Sequence, residues 1–225
     1  MNGIRWCAAV LMFLMHAAWA QADRVRGVAK LLDGDTISIG GQAVRLLHID
    51  APETDQVCTD NRGRAYLCGK EAADYLRKLM RGREVTCAGA EYDRYDRLLG
   101  ICRTRHVDLN REMVNAGLAV RYNPETSAYL KEELAAAKAP RGVWRGTFTQ
   151  PKDHRAARWT VAKQQAPKGC PIKGNISQRN GVEVRIYHTP WSRYYDNTRI
   201  NTGKGERWFC SEAEALEAGW RPPYR

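Results

Sequence analysis

Phenylalanine is scarce in this chain, at three of 225 residues, and no later segment approaches the roughly 20 consecutive apolar residues that cross a bilayer, so a polytopic membrane protein is excluded. There is no C-x-x-C pair, which argues against a zinc ribbon or a thioredoxin-type redox centre. Internal repeats and low-complexity tracts are also missing. What remains has an aliphatic and aromatic share of 44% beside 27% charged residues, the balance of a folded globular chain with one or two domains.

Residues 1–20 read as a targeting segment. Met1 to Arg5 is a short basic start, Trp6 to Ala17 is apolar, and Ala18-Trp19-Ala20 has the small-x-small pattern of a cleavage site, so a signal peptide removed after Ala20 is expected. The apolar stretch is too short for a membrane anchor, and Cys7 lies within it, away from any lipid-modified start. A periplasmic or secreted protein follows. Six cysteines remain beyond it, at 58, 68, 87, 102, 170 and 210, an even number for an oxidising compartment. Chain order suggests Cys58 with Cys68, Cys87 with Cys102 and Cys170 with Cys210, although spacing by itself does not select one pairing.

Charge is unevenly spread. Residues 21–140 hold 19 basic and 18 acidic side chains, whereas 141–225 hold 16 against seven. The stretch 141–169, with Pro151, Pro167, Gly142 and Gly146, reads as a basic linker on or beyond the domain surface. Such a tail would attract nucleic acid or an anionic envelope surface, and it equally suits a solvated tether.

Hydrophobic alternation predicts strands at 24–32, 36–39 and 42–48, with turns at Asp33-Gly34 and Gly40-Gly41. Helical spacing of Ala72, Ala73, Leu76, Leu79 and Met80 predicts a helix over 70–80 that stops at Gly82. Strands at 83–88 and 97–103 form a hairpin with Cys87 opposite Cys102, and helices follow at 109–116 and 126–138. The fold class is α+β: a five-stranded OB-type barrel packed by about three helices, with a small α+β unit at 170–225. In that unit Ser211-x-x-Glu214 is a capping box and Gly219 a helix stop. The expected boundaries are 1–20, 21–148, a linker at 149–169, and 170–225, in a monomer.

Three polar clusters interrupt this pattern: Asp33-Gly34-Asp35-Thr36, Arg45 through Asp50-Ala51-Pro52-Glu53, and Asp93-Arg94-Tyr95-Asp96-Arg97. Each alone suits a turn or a strand exit. Together they put carboxylates and guanidinium groups at strand ends that a barrel brings side by side. Asp35 and Asp50 offer hard oxygen ligands suited to Ca²⁺. Arg45 and Arg97 can bond phosphoryl oxygens bidentately and stabilise the added charge of a five-coordinate transition state. Glu53 can orient or deprotonate an attacking water. Those parts make a phosphodiesterase.

The succession D-G-D-T, R-L-L-x-I-D-A-P-E, D-R-Y-x-R and a helix ending in G-V-W resembles the thermonuclease family, typified by staphylococcal nuclease, over about residues 24–148. The resemblance implies that Asp35, Asp50 and the Ala51 carbonyl bind Ca²⁺, that Thr36 lies beside the metal, that Arg45 and Arg97 hold phosphate, and that Glu53 is the general base. It further implies hydrolysis of DNA and RNA at the 5′ P–O bond, leaving 3′-phosphates. Asp96 stands where glycine is common, which calls for a positive φ and puts an acid beside Arg97. Tyr122 either packs or stacks on a substrate base. The terminal unit resembles modules that trail bacterial envelope proteins, for which substrate docking or envelope association are the expected roles. His188 is expected to be packed rather than a ligand. The alternative to an enzyme is a non-catalytic barrel that binds nucleic acid or an anionic envelope polymer.

Overall fold

Alternation in the first half of the chain builds a closed barrel. The structure, a computed structural model, describes residues 22–179, 181–192 and 194–223. The expected signal peptide, with Cys7, lies outside the described residues. In chain order the elements are β1 Asp23–Asp33, β2 Thr36–Ile39, β3 Gln42–Leu46, β4 Ile49–Asp50, β5 Val57–Asp60, β6 Ala65–Leu67, α1 Cys68–Met80, β7 Glu84–Tyr92 and β8 Leu98–Arg103. Then follow α2 Leu109–Asn115, β9 Val120–Arg121, α3 Leu130–Lys138, a 3-10 turn at Gly142–Arg145, β10 Gly146–Thr147 and α4 Pro151–Gln165. The chain ends in β11 Ile172–Arg179, β12 Val182–His188, β13 Arg207–Phe209 and α5 Glu212–Glu217.

The barrel runs β1-β2-β3-β8-β7 and closes where β7 pairs with β1. Its inward residues, among them Ile37, Ile39, Val44, Leu46, Val85 and Leu98, meet Leu76 and Met80 of α1 and Met113 and Val114 of α2 in one core. Burial of such aliphatic side chains, worth about 1.5–3 kcal/mol each, is the main force closing the barrel. The α1 residues are those whose spacing predicted the helix, because i, i+3 and i+4 positions share one face. Cys87 and Cys102 face each other across β7 and β8 and are bonded, as are Cys58 with Cys68 and Cys170 with Cys210.

Pairing register positions the polar clusters. Thr36 lies opposite Arg45 in β2 and β3, and the parallel β3–β8 pair puts Arg45 beside Leu99, two residues beyond Arg97. Strand β3 ends at Leu46 rather than at 48, because His48 adopts φ 67°, a left-handed conformation that turns the chain into β4. The turn is held by Asn110, fully buried, whose amide donates to the Leu47 and Gly100 carbonyls and whose carbonyl oxygen accepts from the Cys102 amide. Two close approaches demand glycine: a Cβ on Gly69 would sit 1.6 Å from the Glu53 carbonyl oxygen, and one on Gly34 would sit 2.9 Å from the Ala51 Cβ. These contacts press the start of α1 and the β1–β2 turn against the segment that carries Asp50 and Glu53.

The segment expected as a surface linker differs from that reading. Its middle is the fifteen-residue helix α4, begun by Pro151, a residue suited to the first helical turn because the missing N–H has no partner there in any case. Beyond it, β12-β11-β13 form a three-stranded sheet covered by α5. Half of the capping box forms as expected, Ser211 accepting from the Glu214 amide, while the Glu214 carboxylate reaches one residue further back to the Cys210 amide; Gly219 takes φ 82°. Ile172, Tyr187, Phe209, Ala215 and Trp220 make its core. Tyr95 from the barrel and Trp159 from α4 pack against that core. His188 is packed, bonding Asn175 Oδ1 through Nε2 at 3.0 Å. Among the described residues no helix is long and apolar enough to cross a membrane.

Candidate functional site

The three polar clusters meet at one end of the barrel in a continuous chain of contacts. Arg45 donates through Nη1 to Asp35 Oδ1 at 3.0 Å and through Nη2 to Asp50 Oδ1 at 2.9 Å, and the same Nη2 lies 2.9 Å from Asp35 Oδ2. Thr36 Oγ1 donates to Asp35 Oδ1 at 2.8 Å, and Arg97 Nη1 reaches Thr36 Oγ1 at 3.4 Å. Arg97 is itself held by Asp93, at 2.7 Å from Nε and 2.6 Å from Nη2. Asp96 adopts φ 59°, the conformation that its place in the turn requires, and it is Asp93 that meets the Arg97 guanidinium.

Glu53 is buried at the other end of this chain, beside Asp50 and Asp33. Its loop is anchored by Gln56, which accepts from the Glu53 amide and donates to the Thr149 carbonyl at 2.7 Å. Asp33, read from sequence only as a turn residue, accepts from Thr54 Oγ1 at 2.8 Å and faces Glu53. Burial lifts both carboxyl groups above their ordinary range; the charge of Asp35 raises Asp33 further while hydrogen bonds from Thr54 and with Glu53 pull it back, and the charge of Asp33 raises Glu53. Arg155 pulls Glu53 the other way. Burial works against the charge on Arg45, but Asp35 and Asp50 outweigh it and tighten its hold on its proton.

Arg155 was not singled out by sequence reasoning. It donates from Nη1 to Asp50 Oδ1 at 3.0 Å and to Glu53 Oε1 at 2.8 Å, and from Nη2 to Asp50 Oδ2 at 2.9 Å. Its signal was faint: His154, Arg155 and Arg158 follow Pro151 at helical spacing, and all three turn toward acids of the 50–55 segment.

Three carboxylates, Asp35, Asp50 and Glu53, thus gather around two guanidinium groups, and oxygens of Asp35 and Asp50 converge on a single nitrogen of Arg45. Oxygens that reach one nitrogen can reach one hard cation, so the donor chemistry of Asp35 and Asp50 fits Ca²⁺. Among the described residues no group of three or more His, Cys, Asp or Glu side chains is arranged to hold a metal ion. The Ala51 amide points toward Asp35 Oδ2, at 3.4 Å. Alongside runs a groove of about 480 Å³ lined by Arg45, His48, Arg94, Arg97 and Tyr122. Tyr122 is exposed, and the Arg45 guanidinium lies 5.7 Å from its ring centroid. A strip of positive charge flanked by an open aromatic face suits a phosphate with a base attached.

Comparison with known proteins follows this geometry. The family described as staphylococcal nuclease homologue matches residues 43–146, and the family described as ArfC matches residues 150–222. A succinoglycan biosynthesis protein, ExoI, of Rhizobium meliloti (strain 1021) is 41% identical over 159 residues, 68% of this chain and 81% of that protein. A micrococcal nuclease of Shigella flexneri is 31% identical over 177 residues, covering 71% of this chain and 92% of its own. An uncharacterized endonuclease of Escherichia coli O157:H7 is 32% identical over 142 residues, 60% of this chain and 86% of that one.

Proposed function

The chain belongs to the staphylococcal nuclease homologue family, and from that premise we propose that it is a Ca²⁺-dependent nuclease acting outside the cytoplasm on DNA and RNA and leaving 3′-phosphates. Its class is that of the phosphodiesterase nucleases. The observation that carries the finer reading is the unbroken contact path from Arg97 through Thr36, Asp35, Arg45 and Asp50 to Arg155 and Glu53. It links Arg45, Arg97 and the buried Glu53 in one site, which supports reading them as two phosphate-binding groups and a base.

In this reading Asp35, Asp50 and the Ala51 carbonyl hold the metal, which when bound supplies positive charge to a phosphoryl oxygen and lowers the cost of ionising water. Arg45, on a rigid strand, and Arg97, braced by Asp93, take the other phosphoryl oxygens as negative charge builds. Glu53 orients the attacking water and accepts its proton at a carboxylate oxygen. Tyr122 stacks on the base next to the scissile bond. The nuclease unit is 21–148, and the module from 170 onward lies against it. Disulfides at all six cysteine positions from 58 to 210 support an oxidising compartment.

The test is release of acid-soluble nucleotides from denatured DNA and from RNA, with Ca²⁺ or EDTA, followed by end-group analysis. Digestion with Ca²⁺, its loss with EDTA, and a fall of at least a hundredfold in Glu53→Gln are expected. Full digestion by Glu53→Gln removes that residue from the mechanism, and 5′-phosphate ends overturn the assigned bond.

A further inference from the structure

Resting on the reading of Asp50 and Glu53 as the metal-binding and basic end of the site, we propose that Arg155 is a built-in cation that occupies this end, and that α4 with the C-terminal module is a strap which must shift before metal and phosphate enter. Arg155 covers both oxygens of Asp50 and one of Glu53 at 2.8–3.0 Å, and its side chain is 19% exposed. A divalent ion bound to Asp50 would lie about 2.3–2.6 Å from those same oxygens. Ion and guanidinium would then be forced within a few ångströms of each other in a buried setting, where like charges repel strongly. Asp50 Oδ1 already holds two guanidinium groups, Arg45 at 2.9 Å and Arg155 at 3.0 Å, so a divalent ion would add a third positive charge there, and Arg155, which comes from outside the barrel, is the group that gives way.

The residue that blocks the site does not belong to the barrel that builds it. Arg155 sits 105 positions from Asp50, on a helix that buries only Pro151 and Ala162. Apart from Trp159, which packs on the module that moves with it, this helix is held by polar contacts, and elements with so little apolar burial against the barrel open locally at low cost. Those contacts converge on the rim of the site. Arg158 joins Asp55 of the barrel to Asp196 of the module, and Tyr95 and Arg94 of the barrel turn both donate to Glu212 of α5. The strap is therefore latched on both sides of the acidic cluster, and the latches are ion pairs and hydrogen bonds that a polyanion with its counterions can compete for. With Arg155 in place, Glu53 is committed to a guanidinium; with Arg155 withdrawn, it is free to accept a proton from water.

The test uses the full chain without substrate. Calorimetric titration with Ca²⁺ should give a dissociation constant at least tenfold lower for Arg155→Met, which keeps the packing stem and removes the charge, than for the parent protein. Asp50→Asn should abolish binding in both backgrounds. In the parent protein, amide exchange across 151–165 should quicken when Ca²⁺ is added. This second measurement needs no variant and so does not depend on Arg155→Met folding. Equal or weaker Ca²⁺ binding by folded Arg155→Met, or unchanged exchange in α4, overturns the strap while leaving the nuclease reading intact. Absence of Ca²⁺ binding in both proteins overturns the strap together with the metal assignment, and cleavage in EDTA then identifies a metal-independent nuclease.

Discussion

The barrel and the C-terminal module are both stapled by disulfides, yet they stand differently toward each other. The barrel encloses its own core, from Ile37 to Ala119, and buries the Cys87–Cys102 bridge completely. The module's apolar core is a cluster of five buried side chains that borrows Tyr95 from a barrel turn and Trp159 from α4. A unit this small exposes too much of its surface to be held by its own apolar contacts, and the borrowed aromatics make up part of the deficit. One region is thus a self-sufficient frame that can carry strained and charged groups at its rim. The other folds in part by docking on that rim.

The largest expected effect breaks the comparison on the side of chemistry. Arg45→Ala should lower kcat/KM on denatured DNA by about a thousandfold, the cost of losing a buried charged donor to a transition state, and should also lower the thermal midpoint, because Asp35 and Asp50 are left buried without their shared partner. Its counterpart in the module, Arg185→Ala, should leave cleavage unchanged, since Arg185 pairs with Glu183 on the module's own sheet. Next comes the frame: Asn110→Ala strands the Leu47 carbonyl and the Cys102 amide in the barrel, the Gly100 carbonyl keeping the Leu47 amide, and should cost about 3 kcal/mol in chemical denaturation. Replacing Cys170 and Cys210 together by serine should remove a similar or slightly smaller amount, about 2–3 kcal/mol, with the loss confined to exchange protection of 170–223 if the module is the dependent partner. A loss of protection that spreads through the barrel would make the two a single cooperative unit.

The smallest effect is one of pH. Burial, and then the charge of Lys173, depress His188 to about 4. A histidine kept neutral in this way contributes stability that is fully present above its unfolded value near 6.5 and is lost as pH falls through the folded value. The module should therefore loosen by about 2 kcal/mol between pH 6.5 and 4, seen as faster amide exchange in β11 and β12. His188→Gln should flatten that dependence, and an unaltered slope would assign it to other groups.

How much of this was legible beforehand follows the same division. The barrel strands, α1 and the Cys87–Cys102 hairpin could be read because each declares itself within a short window, by period or by facing cysteines. Asp35, Arg45, Asp50, Glu53 and Arg97 were legible because charged groups at strand ends need a reason, and the barrel register supplies it. Asp33 was passed over as a turn residue, since its second role depends on the burial of its neighbour Glu53. Arg155 was hidden for a different reason. Its helix is polar on nearly every side, so it carries no apolar stripe, and its partners are more than a hundred residues away. Composition described that stretch correctly as basic, but its order comes from the acids that it meets.

Tyr95 carries a last consequence, one of ancestry and engineering. It lies between Asp93 and Arg97 in the β7–β8 turn, its ring centroid 5.0 Å from the guanidinium carbons of both Arg94 and Arg97, while its ring also belongs to the module's packing. A chimaera that grafts this module onto another barrel of the family will need an aromatic at that point of the turn, or the graft will have an unfilled hole. Lineages that discard the module are correspondingly released from keeping one.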